Sequence, residues 1–265
     1  MKQQGKLNSL IKYLTLDTLP RSLLLLGEYG CGKRTLVKEI ASKLNLKVED
    51  ITEELSLETI DRINSSVFPT IYTIDSTKIT VKEENVILKF LEEPLNNAYI
   101  ILLCENKNQL IDTIINRTVI WSFEKYSKEF LSEFLDESDS REILNICETP
   151  GQIIELKSYN IDEMLSLAND IFEKIKYANL PNALSLENRF AFKDEKNKLN
   201  IDIFSKVLLY VITKRVREET DYKLYHAYVI TDDLVNGLQR RYANKKLVFD
   251  DYIINLRRLF REDEV

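Results

Sequence analysis

Four leucines, Leu23 to Leu26, run directly into Gly27-Glu28-Tyr29-Gly30-Cys31-Gly32-Lys33, and Arg34-Thr35 follow. An apolar strand that meets this spacing has to turn sharply and release a helix, because G-x-x-x-x-G-K is the core of a phosphate-binding loop. Glycines let backbone N–H groups turn towards phosphate oxygens, and the helix that follows offers its positive end. Lys33 is placed to reach the terminal phosphates. The next position ordinarily carries Ser or Thr, whose hydroxyl holds Mg2+; here it is Arg34, with Thr35 one place late. The candidate nucleotide-binding set is Gly27, Tyr29, Gly30, Cys31, Gly32, Lys33, Arg34 and Thr35. ATP or ADP is the ligand it suits, and the change at 34 puts Mg2+ in doubt.

A chain of 265 residues can divide into two or three compact units. Its formal net charge of −6 gives it no nucleic-acid footprint as a whole. Cys31, Cys104 and Cys147 are far apart, and with the one histidine, His226, they make neither a disulfide framework nor a zinc site. No apolar run is long enough to span a bilayer, and Met1-Lys2-Gln3-Gln4-Gly5-Lys6 leads into no secretory core. A cytoplasmic protein is expected.

Strand and helix alternate in the first half. Leu36, Val37, Ile40, Ala41 and Leu44 share one helical face, and a second helical stretch lies near Leu55 to Ile63. Thr70 to Asp75 reads as a strand. Thr80 and Glu83 form a capping box for a helix that Glu92-Glu93-Pro94 ends. Ala98 to Leu103 and Thr118 to Phe123 read as further strands. Strands separated by helices imply a parallel sheet covered on both faces.

Beyond about residue 125 the strand signal stops. Helices are expected over Phe130 to Leu135, Ile143 to Cys147, Ile153 to Leu156 and Met164 to Tyr177, with Leu180-Pro181-Asn182-Ala183 as a break. Others follow from Ile201, with Phe204, Val207, Leu208, Val211 and Ile212 on one side, then over Thr231 to Tyr242 and Phe249 to Phe260. Arg240, Arg241, Lys245 and Lys246, and again Arg257, Arg258 and Arg261, are read as solvated faces.

The second strand presents Asp75, the acid that a phosphate loop sets beside its metal. Ser76 follows where a carboxylate would polarise the attacking water. A hydroxyl is no base near neutral pH, and loss of a positioned base costs roughly 10²- to 10⁴-fold in rate. Phosphate binding is expected, and hydrolysis by this chain alone is not.

Ile87-Leu88-Lys89-Phe90-Leu91-Glu92-Glu93-Pro94, then Asn97-Ala98-Tyr99-Ile100-Ile101-Leu102-Leu103-Cys104-Glu105-Asn106, then Leu110 to Thr118, resemble the clamp-loader branch of the AAA+ ATPases, the bacterial DNA polymerase III delta-prime subunits in particular. By motif the resemblance covers about residues 22 to 160. It implies an α/β AAA+ P-loop domain over 1–125, with a parallel sheet flanked by helices. A small helical lid domain over 126–185 and a helical collar domain over 186–265 follow. Gly27 to Lys33 would be the Walker A loop, and Asp75 the Walker B acid. Cys104 would stand at sensor 1, where Thr is usual, and Gln152 at the sensor 2 arginine. Arg117 matches the family's arginine that acts in trans on a neighbour's nucleotide, although Asn116 and Thr118 depart from its usual Ser and Cys flanks. An arginine finger contributes on the order of 10³- to 10⁵-fold to turnover.

The resemblance thus implies a non-hydrolysing stator of a sliding-clamp loader in DNA replication. Its partners would be other clamp-loader subunits in a hetero-oligomeric ring and, through that complex, a sliding clamp and primer-template DNA, with no membrane. The alternative is a catalytically active AAA+ ATPase, a motor subunit of such a machine or another AAA+ helper. A small-molecule P-loop kinase is a third reading, disfavoured by the helical C-terminal half.

Overall fold

The structure is a computed structural model and describes residues 4–92, 97–192, 199–240 and 242–261. The chain forms two compact units, one of residues 1–131 with 149–151 and one of 132–148 with 152–265.

In the first unit α1 (Gly5–Lys12) precedes β1 (Ser22–Leu26), and α2 (Lys33–Leu44) springs from the glycine loop. Then come β2 (Lys47–Asp50), α3 (Leu57–Asn64), β3 (Thr70–Asp75), α4 (Val81–Glu92), β4 (Ala98–Cys104), α5 (Asp112–Ile115) and β5 (Val119–Ser122). The five strands form one parallel sheet in the order β2-β3-β4-β1-β5. Period-two alternation sends side chains to opposite faces. Leu23, Leu25, Ile71, Ile101, Leu103 and Trp121 pack with Leu36, Val37 and Ile40 of α2 on one side. Leu24, Tyr72, Ile74, Ile100, Leu102 and Cys104 pack with Ile63, Ile87 and Phe90 on the other. Central strands β1, β3 and β4 are buried along most of their length because both faces are covered.

The capping box at Thr80 is present. The Thr80 N–H donates to Glu83 Oε2 at 2.6 Å, and the Glu83 N–H approaches Thr80 Oγ1 at 3.5 Å. The expected terminator Glu93-Pro94 lies outside the described residues, as does Arg241. Strand β2, with the polar sequence Lys47-Val48-Glu49-Asp50, has no counterpart in the sequence reading, and neither does α1. As an edge strand, β2 buries little and so shows no apolar alternation.

The second unit is helical: α6 (Lys128–Ser132) runs up to it, and α7 (Ile143–Ile146), α8 (Pro150–Leu156), α9 (Ile161–Tyr177), α10 (Leu180–Leu184), α11 (Ile201–Glu218), α12 (Tyr222–Leu238) and α13 (Lys245–Arg261) follow. Four expectations need correcting. Helix α6 stops at Ser132, short of Phe134 and Leu135. The segment at Pro181 is a helix and not a break, because proline fits a first turn and Asn179 caps it. Helix α12 begins at Tyr222, nine residues before Thr231, with Asp221 accepting from the Lys223 N–H. A two-residue parallel pair, β6 (Phe190–Ala191) with β7 (Leu199–Asn200), interrupts the helices.

Arg257 also departs from the solvated face expected of it. It is buried and donates to the carbonyls of Ile175 and Ala178. With Arg261, which donates to Tyr177 and Ala178, it satisfies carbonyls at the C-terminal end of α9.

Candidate functional site

Strand β1 delivers the loop, and backbone geometry shapes it. Gly30 (φ 77°) and Gly32 (φ 102°) both lie in the left-handed region, where a side chain would be strained, and Gly32 caps α2. The Gly27 N–H donates to the Cys104 carbonyl at 3.0 Å, fastening the loop to β4, and the Tyr126 hydroxyl donates to the Cys31 carbonyl at 2.7 Å. Lys33 folds back over the loop, its Nζ 2.5 Å from the Gly27 carbonyl and 3.0 Å from that of Glu28. The Cys31 thiol is buried, and that burial pushes its pKa up. Tyr29 and Thr35 are exposed.

The segment Thr149-Pro150-Gly151 closes on this loop. Thr149 Oγ1 donates to the Tyr29 carbonyl at 2.7 Å, and the Gly151 N–H donates to the Gly30 carbonyl at 3.0 Å. A Cβ on Gly151 would sit 2.4 Å from Gly30 Cα, so the approach requires a glycine.

Arg34 sits in the first turn of α2 and reaches across the C-terminal ends of β2 and β3. Its Nη1 donates to Asp50 Oδ2 at 2.7 Å and its Nη2 to Asp75 Oδ2 at 3.1 Å. The other carboxylate oxygens are held too. Asp50 Oδ1 accepts from the Thr52 N–H and hydroxyl at 3.1 and 2.6 Å. Asp75 Oδ1 accepts likewise from Thr77, at 3.1 and 2.7 Å. Thr52 Oγ1 accepts in turn from the Asp75 N–H at 2.9 Å, which ties the two strand ends together. Partial burial pushes the Asp50 carboxyl up, but hydrogen bonds from Arg34 and Thr52 outweigh it and hold it below the ordinary carboxylate range. The hydrogen bond to Asp50 raises the Arg34 guanidinium.

The phosphate loops of this fold hold Mg2+ through a hydroxyl at position 34 and the acid of β3, and magnesium demands near-ideal octahedral oxygen coordination. The residues here do not fit it. A permanent cation stands in place of the hydroxyl and is bonded to Asp75, and both oxygens of that carboxylate have partners. Among the described residues no group of three or more His, Cys, Asp or Glu is placed to hold a metal ion.

Ser76 is buried, and its hydroxyl is 3.3 Å from Gln109 Oε1. The same amide oxygen accepts from the Glu105 N–H at 3.1 Å and lies 3.7 Å from Cys104 Sγ. Burial pushes the Cys104 thiol up, so it stays neutral. Ser76, Cys104 and Gln109 make an inward polar knot with no base in it. Gln152 is buried as well, its Oε1 accepting from the Glu148 N–H at 2.8 Å within the second unit.

Arg117 follows α5 on the surface of the first unit. Its Nη1 donates to the Thr113 carbonyl at 2.9 Å, and its Nη2 lies 3.2 Å from Glu92 Oε1, with the side chains 40% and 54% exposed. The structure therefore joins Gly27, Lys33, Arg34 and Asp75 in one place and sets Arg117 just after α5. Sequence reading missed Asp50, Thr52 and Gln109. For the first two a signal exists: Asp50-Ile51-Thr52 repeats the Asp-x-Thr of Asp75-Ser76-Thr77, each at a strand end.

Residues 47–127, from β2 through β5, match the family model described as DNA polymerase III, delta subunit. A Methanocaldococcus jannaschii protein named "Putative adenylate kinase" is 29% identical over 164 residues, 57% of this chain and 84% of that one. A DNA polymerase III gamma subunit-related protein of Thermotoga maritima superposes with a TM-score of 0.51 at 14% identity, over 98% of this chain and 100% of the other. The Thermotoga maritima RuvB Holliday junction branch migration motor gives a TM-score of 0.41 at 15% identity, over 96% and 68%.

Proposed function

We propose that the chain is a clamp-loader-like AAA+ protein that works as a non-hydrolysing stator subunit, a reading supported by the family model matched over residues 47–127 and by the fold. In this reading it presents Arg117 to nucleotide held by an adjacent subunit of a hetero-oligomeric ring that loads a sliding clamp on primed DNA. Residues 126–185 serve as its lid and 186–265 as its collar, and the cytoplasm is its compartment.

The observation that carries the reading is the Arg34 bridge. A guanidinium stands where hydrolysis needs a metal, and Ser76 offers no base to an attacking water. Arg117 supports the other half. Its exposed pair with Glu92 is worth about 0–1 kcal/mol, a small resistance to transferring the guanidinium to a phosphate.

The test is co-purification with the replication proteins of the source organism, then ATP turnover of the assembled complex. Arg117→Ala should cut turnover by about tenfold or more while assembly persists; unchanged turnover removes the trans role. Likeness to the Methanocaldococcus jannaschii protein favours a second reading, an active P-loop enzyme. Robust consumption of ATP with Mg2+ by the isolated chain, with or without AMP, would establish that reading in place of the first.

A further inference from the structure

We propose that Arg34 has replaced the divalent cation of the phosphate loop, so that the site takes a nucleoside di- or triphosphate as the free anion and discriminates against the magnesium complex. The inference rests on Gly27 to Lys33 being a nucleotide cradle and is independent of any role for Arg117.

Three observations carry it. First, the guanidinium lies between position 34 and Asp75, the two groups that together would hold the ion. A magnesium ion bridging β- and γ-phosphates would meet a fixed positive charge there, at hydrogen-bond distance from the carboxylate it needs.

Second, the guanidinium is anchored. Two carboxylates grip it through separate nitrogens, and Thr52 and Thr77 hold the far oxygen of each. Its donors are therefore fixed in a fork that suits a phosphate, and a guanidinium has five N–H groups, of which these carboxylates take two.

Third, the two carboxylates already have their counter-charges without a metal ion. Lys33 and Arg34 match Asp50 and Asp75 in charge, so these four side chains sum to zero. The positive end of α2 attracts phosphate oxygens.

The experiment is equilibrium binding of a fluorescent ATP analogue (methylanthraniloyl-ATP) to the full chain, with magnesium in millimolar excess and again with EDTA. For the wild type, chelation should tighten binding by about threefold or more. Arg34→Ser restores the missing hydroxyl and removes the competing charge. Its binding should fall about 10- to 100-fold in EDTA, the loss of one charge-assisted contact, and magnesium should recover part of that loss. The magnesium dependence thus inverts between the two proteins.

Wild-type binding that magnesium leaves unchanged or tightens would overturn the proposal, and so would no binding in either condition. Both outcomes leave the stator reading standing, because that reading is tested by Arg117 in the assembled complex. The wild-type comparison decides the matter even if the variant folds poorly, and circular dichroism of the variant reports that directly.

Discussion

Arg34 carries two loads at the level of single residues, and each has a measurable consequence. Its bridge lowers Asp50, so the stabilisation it gives is fully present above the ordinary Asp value of about 3.9. That stabilisation is lost as pH falls through the still lower folded value. Arg34→Ser should therefore melt below the wild type at pH 7, and the gap should narrow as pH falls below the ordinary Asp value and Asp50 protonates. Because the guanidinium is 55% exposed, the gap at pH 7 is modest, about 1 kcal/mol or less. Gly151→Ala should cost more. A Cβ 2.4 Å from Gly30 Cα forces backbone apart, and overpacking of this kind costs about 1–3 kcal/mol, read by urea or thermal unfolding of the full chain. Lys33, Arg34, Asp75 and Ser76 were legible because the motif fixes their places along the chain. Asp50 was not, because its role follows from β2 lying beside β3, and strand order cannot be read from local spacing.

Elements show the same division between local and long-range information. Strands β1, β3 and β4 and helices α2, α4 and α11 were visible because each carries a period that burial on one or both faces imposes. Edge strand β2 and the first turns of α12 bury few side chains, so neither advertises itself. The start of α12 depends on Asp221. Asp221→Ala should lower stability by about 1 kcal/mol in thermal melts, the usual cost of a lost cap. The C-terminal end of α9 depends on a residue some 80 positions away. Arg257→Ala would strip its donor from the buried Ile175 carbonyl, at about 1–3 kcal/mol, also read by melting. No local rule connects Arg257 to α9, so a basic run in the sequence looked like a wetted face.

For the whole molecule, fold class was the most legible feature: one glycine loop and alternating strands already imply a parallel sheet covered by helices. The matched family model starts at β2, after the glycine loop, and takes in both Asp75 and Arg117. Among the described residues no helix is long and apolar enough to cross a membrane. If the chain acts within a ring, its own site and the site it serves respond to different variants. Arg117→Ala should depress turnover by the assembled complex more than Arg34→Ser does, since Arg117 is the residue proposed to reach a neighbour's phosphates.

The paired Asp-x-Thr strand ends also bear on how such a site can change over generations. A single codon change that gave position 34 a serine would leave Asp50 and Asp75 side by side with no counter-charge, so the first step back towards a working metal centre lowers stability before it restores any chemistry. That loss is small, about 1 kcal/mol or less because the guanidinium is half exposed, and neutralising Asp50 at the same time would reduce it further.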